Sequence, residues 1–162
     1  MQNTHASNMA SALANHGFTL IELLVTLTVL AIIAFAAAPS FSSLIATQRA
    51  RNASLDLSAA LTLTRSEAVK RNSSVTMAAS GAWAGGWAVT AGAEKVRTFG
   101  PYDGISITAS AGNSLSVGND GRPTTGSLTF QVAPSVSPQA ASTICVQLSG
   151  TGRVALVSGT CT

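Results

Sequence analysis

An uncharged apolar run near the N-terminus constrains this chain more than any other feature. From Leu23 through Gln48 no residue carries a formal charge, and an α-helix needs about 20 predominantly apolar residues to cross the hydrocarbon core of a bilayer. The run therefore reads as a membrane span. Two residues mark it as more than a plain anchor. Glu22 stands at its start, where an ionised carboxylate in lipid costs on the order of 3 kcal/mol, so its presence predicts a partner charge. Pro39 stands toward its far end, where the missing N–H and the ring bend or loosen a helix.

The residues before Phe18 include no Lys or Arg. A secretory signal peptide would need a basic start, an unbroken apolar core and a cut near Ala38. The missing cations, Glu22 and a proline directly after that cut all argue against it. A simple signal anchor accounts for the hydrophobicity but not for the ordered string Gly17-Phe18-Thr19-Leu20-Ile21-Glu22. That string, continued through the apolar helix and Pro39, resembles the class III signal peptides of type IV pilins and type II secretion pseudopilins. The resemblance implies a leader over residues 1–17, removed by a prepilin peptidase between Gly17 and Phe18, and N-methylation of Phe18. It further implies that Glu22 neutralises the N-terminal amine of a neighbouring subunit during assembly, an attraction strengthened by low dielectric. The subunit would be a single-pass inner-membrane protein with its C-terminal domain in the periplasm.

Beyond the span, residues 41–72 continue as an amphipathic half-helix. Ala50, Ala53, Leu57, Ala60, Leu61, Thr64 and Ala68 recur at helical spacing, while Arg49, Asn52, Asp56, Arg65 and Lys70 fall elsewhere on the wheel. The stripe is narrow and rich in alanine, so a sheet can approach it closely. Glu67 and Arg71 form an i,i+4 pair, and Lys70-Arg71-Asn72 supplies cations and a residue tolerant of left-handed backbone at the helix end.

After Asn72 the texture changes to short alternating runs: 74–79, 86–91, 95–99, 105–109, 114–117, 127–132, 143–148 and 153–158. Gly- and Pro-containing connectors separate them, with no second helical pattern, which predicts an antiparallel meander. The fold class is α+β: residues 18–40 as the membrane or filament-core half of one long helix, 41–72 as its amphipathic half, and 73–162 as a β-rich globular domain. In an exported domain Cys145 and Cys161 are expected to form a disulfide. Two cysteines without histidine partners do not make a zinc site.

The β-region carries a second resemblance. Trp83-Ala-Gly-Gly-Trp87-Ala-Val89 and Ile144-Cys145, Gly150-Thr-Gly-Arg153 and Cys161 are similar to the GspH/FimT family of minor pilins and pseudopilins, which implies a long helix packed on a two-sheet β-domain. From the residues alone, both tryptophans read as core or hairpin packing. Chemistry is sparse. No histidine follows Gly17, and Asp56, Glu67, Glu94, Asp103 and Asp120 are scattered among turns and helix faces. No nucleophile–base pair, phosphate loop or metal spacing emerges, so the expectation is a non-enzyme with no cofactor and no metal.

Two functional readings remain. One is a structural minor pilin, FimT-like, that primes or joins a type IV pilus, with a GspH-like minor pseudopilin of a type II secretion system as the alternative. The other adds a binding role in DNA uptake. The exported part is mildly basic, nine cations against five acids once Glu22 is set aside. FimT-like proteins that bind DNA are associated with a C-terminal GRxR pattern, and here Gly152-Arg153-Val154-Ala155 matches its first arginine but not its second. The turn is expected to present Arg153 and backbone N–H groups outward to a phosphate, with Arg122 in the turn sequence 119–123 adding a second contact if it lies on the same face. Such binding to double-stranded DNA would be weak and non-specific.

The processing expectation is open to direct measurement. The intact mass of the envelope protein should equal residues 18–162 plus one methyl group; a mature chain beginning at Pro39 would overturn it.

Overall fold

The computed structural model describes residues 18–110, 112–135 and 142–161. Gly17 and the expected leader lie outside the described residues. One helix, α1 (Leu20–Arg71), is followed by eight strands: β1 (Val75–Ala79), β2 (Trp87–Ala91), β3 (Glu94–Phe99), β4 (Ile105–Ala109), β5 (Ser114–Val117), β6 (Leu128–Pro134), β7 (Ile144–Leu148) and β8 (Val154–Ser158). Every run read as a strand from the sequence is one. A short 3-10 turn, Trp83–Gly85, was not anticipated. The chain divides into two compact units, one through Pro39 and one from Ser40 onward.

The first unit is helix alone. Thr19 caps it: its Oγ1 accepts from the Glu22 N–H at 3.3 Å, and its carbonyl accepts from Leu23 N–H at 3.1 Å. The spacing of a hydroxyl and, three residues on, a glutamate is that of a capping box. Within the span, the hydroxyls of Thr26 and Thr28 donate to the carbonyls of Leu23 and Leu24, each at 2.8 Å. Neither of these two hydroxyls needs water. The large side chains from Phe18 to Phe35 are exposed, Phe35 by 83%, which is tolerable only in lipid or among other apolar helices.

In the second unit the helix buries the face expected of it. Ala50, Ala53, Leu57, Ala60, Leu61, Thr64 and Ala68 are all at most 1% exposed. The buried hydroxyls of Ser54 and Thr64 are satisfied by the carbonyls of Ala50 and Ala60 at 2.8 and 2.7 Å. Asn72 takes a positive φ of 49°, and Ser73 N–H reaches Ala68 O while Asn72 N–H reaches Val69 O. This is a Schellman ending with asparagine in the usual glycine position. Arg71 then fastens the helix end to the β2–β3 hairpin. It bonds Glu67 at 2.7 Å and grips Glu94 through two contacts of 2.6 and 3.1 Å. Hydrogen bonding to Arg71 holds both carboxyls below the usual carboxylate pKa range.

The strands form two four-stranded antiparallel sheets, in the orders β3-β2-β1-β5 and β4-β6-β7-β8. A simple meander is therefore incorrect. β4 leaves the first sheet for the second, and β5 returns to pair with β1, placing Val75 opposite Val117 and Met77 opposite Leu115. β1 is flanked on both edges, by β2 and by β5, so its backbone groups are paired on each side. A two-sheet domain, implied by the family resemblance, is what forms.

One core joins the helix stripe to both sheets through Met77, Trp87, Phe130, Val132 and Val146. Trp83 links them directly. Its ring meets Phe130 edge-on at 5.0 Å, and its indole N–H donates to Gly112 O at 2.9 Å. Trp87 is fully buried and stacks on Tyr102 at 4.9 Å. Tyr102 in turn donates to Asp56 Oδ2 at 2.9 Å, and burial followed by that bond pushes its phenol well above the usual range. The tryptophans pack, as read from the sequence.

Cys145 and Cys161 are bridged. Cys145 is fully buried in β7, and the Cys161 N–H donates to Gln131 of β6 at 3.3 Å. The bond thus ties the tail beyond β8 back to the two inner strands of its sheet. Closing a loop of this size is worth about 3 kcal/mol.

Candidate anion-binding surface

The two turns that carry Arg122 and Arg153 are built alike. In the β7–β8 turn, Gly152 N–H donates to Ser149 O at 2.8 Å and Ser149 N–H donates to Arg153 O at 2.9 Å. In the segment after β5, Gly121 N–H donates to Gly118 O at 2.9 Å and Gly118 N–H donates to Arg122 O at 2.8 Å. Both run five residues and end in Gly-Arg, with the glycine at a positive φ, 75° for Gly121 and 78° for Gly152. In both, the arginine N–H is taken by a side-chain oxygen of its own turn: Asp120 Oδ1 for Arg122 and Ser149 Oγ for Arg153, each at 3.0 Å. These are the only Gly-Arg dipeptides in the chain.

The fold sets the two turns against each other. A Cβ on Gly152 would run into the carbonyl oxygen of Gly121. Both glycines are buried, and the arginine after each is exposed. One expectation needs correcting here. Gly152 does not face outward, and the N–H groups of Gly152 and Arg153 are consumed inside the turn, because the tight turn needs them for its own closure. Of the groups named, the exposed Arg153 side chain remains open to an anion, and the N–H groups of Gly152 and Arg153 do not.

Arg65 of α1, which no motif in the chain singles out, lies across both glycines. Its Nη1 donates to Gly152 O at 3.3 Å. Its side chain would stand 3.1 to 3.3 Å from a Cβ on either glycine. Val69, one turn along the helix, supports Gly121, and Asn119 donates to Asn72 Oδ1 at 3.0 Å. Residues 65, 69 and 72 thus form the helix face that seats the turn. The signal in the sequence was the pair of Gly-Arg dipeptides; the partner 87 residues away from Gly152 had none.

Carboxylates hardly offset these cations. Asp120 Oδ2 lies 3.9 Å from Arg122 Nε with both side chains more than half exposed, a pairing that contributes little. Arg65 and Arg153 have no ion-pair partner among the described residues. Beside Arg153 a cleft of about 390 Å³ is lined by Leu128, Thr129, Gln147, Leu148 and Ala155. Ala155, standing where GRxR has its second arginine, lines the same cleft as Arg153, so its small side chain leaves open the space an arginine would cross. Among the described residues there is no group of His, Cys, Asp or Glu suited to a metal.

The family described as type II transport protein GspH matches residues 53–152, and the prokaryotic N-terminal methylation motif matches residues 13–38. No curated protein sequence matches the chain. Among solved structures, the type IV minor pilin FimU of Pseudomonas aeruginosa strain PAO1 is similar with a TM-score of 0.59 at 20% identity, over 66% of this chain and 87% of FimU. The minor pseudopilin EpsH of the Vibrio cholerae type 2 secretion system is similar with a TM-score of 0.54 at 14% identity, over 68% of this chain and 97% of EpsH. At these identities the likeness is one of fold.

The packed glycines make a specific expectation. Gly152→Ala should destabilise the domain by about 1–3 kcal/mol, the cost of a strained left-handed residue, and the added clash should force the two turns apart. Thermal unfolding reads the loss, and a melting temperature equal to wild type would contradict the described contact.

Proposed function

Because the chain belongs to the GspH family of minor pilins and pseudopilins, we propose that it is a FimT-like minor pilin, assembled into a type IV pilus and making weak contact with DNA through its exported domain. The observation that carries the assembly reading is the helix before Pro39: its large side chains are exposed, and Glu22 in its first turn is the span's one formal charge. Such a surface requires hydrocarbon or neighbouring helices on all sides. On this reading a prepilin peptidase cuts after Gly17 and Phe18 is methylated. The span holds the subunit in the inner membrane with the β-domain in the periplasm until it joins other pilin subunits. Glu22 then meets the amine of a neighbour. A GspH-like place in a secretion pseudopilus uses the same anchor; the two Gly-Arg turns, brought into contact with each other, favour the DNA-contacting pilin.

Glu22→Ala should be processed normally but depleted at least about tenfold from sheared filaments, since breaking a buried ion pair costs about 3–5 kcal/mol. Recovery at wild-type levels would refute the assembly role.

The DNA contact has its own measurement. Duplex DNA should bind weakly and without sequence preference, and Arg153→Gln should reduce the slope of log affinity against log salt by about 0.9, the value of one phosphate contact. An unchanged slope would remove Arg153 from the contact.

A further inference from the structure

We infer that Arg65 completes the site: together with Arg122 and Arg153 it forms a three-arginine surface for nucleic-acid phosphates, and its side chain also fixes the spacing of the two turns that carry the others. The inference rests on the DNA reading above and adds to it a residue from a different part of the chain.

Arg65 already has a structural task where it lies. Its aliphatic stem covers two glycines whose missing Cβ atoms leave the room it occupies, and arginine commonly buries its stem while keeping its head polar. One guanidinium N–H is spent on Gly152 O. A guanidinium carries five N–H donors in a planar fork, so a bond to one carbonyl leaves most of them for another acceptor. This cation has no ion-pair partner among the described residues, and each glycine it touches is followed by an exposed arginine.

Phosphates fit this arrangement better than a protein carboxylate does. Phosphodiester groups recur along a strand, so separate guanidinium groups can each take one. Placing Arg65 on a helix, with Val69 and Asn72 holding the facing turn, gives the three cations a fixed frame, and fixed groups lose less entropy on binding.

The full-length chain in detergent, titrated with a 12-base-pair duplex at several salt concentrations, tests this. Three contacts predict a log–log salt slope near −2.7, equivalent to about a 40-fold loss of affinity between 50 and 200 mM salt, against about 12-fold for two contacts. Arg65→Gln keeps a donor for Gly152 O but removes the charge, and should bring the loss to the two-contact value. Arg65→Lys keeps the charge and should retain the wild-type slope. Arg97→Gln, on the β3 edge where Arg97 lies over Phe99, should change nothing. A wild-type slope in Arg65→Gln, alongside reduced slopes in Arg122→Gln and Arg153→Gln, overturns the inference and leaves the DNA reading standing. An equal fall in Arg97→Gln also overturns it, because binding would then reflect diffuse charge. Absence of binding by wild type at 50 mM salt fails the DNA reading itself, and the inference with it. If Arg65→Gln does not fold, the Nε–Hε resonances of the unaltered protein decide: Arg65 should shift on the same titration curve as Arg153, and an unmoved Arg65 resonance overturns the proposal.

Discussion

The β-domain depends on how closely a sheet can approach α1. A row of alanines from Ala50 to Ala68, interrupted by Ser54, Leu57, Leu61 and Thr64, keeps this face of the helix low. Alanine loses no side-chain entropy on burial, and its size lets larger residues from the sheets fill the interface: Met77, Trp87, Phe130 and Val146. The helix supplies flatness and the sheets supply volume. Hence a domain with few charged residues and one helix still encloses a continuous core, and its only buried helix hydroxyls, Ser54 and Thr64 among the described residues, turn back onto their own backbone.

Much of this was legible in the sequence because it is encoded locally. The helix stops at Asn72 for reasons contained in Lys70-Arg71-Asn72 and in the alanine four residues earlier that receives the Schellman bond. Strand existence follows from alternation and from Gly and Pro between the runs. Sheet membership does not. Nothing within Ile105–Ala109 says that it pairs with Leu128–Pro134 and not with its predecessor Glu94–Phe99; that choice is made by the core, where Ile105 and Ile107 find Phe130 and the helix. The tryptophan in the Trp83–Gly85 turn is likewise placed by a ring 47 residues further on in sequence, which no local pattern foretells.

The candidate site divides along the same line. Glycine followed by arginine at 121–122 and 152–153 is visible in the chain, and turn chemistry accounts for each dipeptide by itself. The meeting of the two turns, and the helical arginine that spans them, are products of tertiary structure. The amides of Gly152 and Arg153 do not face outward for a reason that is itself local: a five-residue turn closes by using the glycine N–H, and the hydroxyl of Ser149 or the carboxylate of Asp120 takes the arginine N–H.

The threonines of the apolar segment bear on what a transfer of this helix between lipid and a helix bundle would involve. With Thr26 and Thr28 each bonded to a carbonyl one turn back, and the helix backbone closed on itself, every polar atom described between Leu23 and Leu30 has its partner inside the segment. Moving such a helix from lipid to a bundle of similar helices neither makes nor breaks a hydrogen bond, and hydrocarbon is about as apolar as leucine, so packing alone changes. In its hydrogen bonding the segment is therefore nearly indifferent between the two environments. Any preference for one of the two must then come from side-chain packing along its length and from its charged first turn.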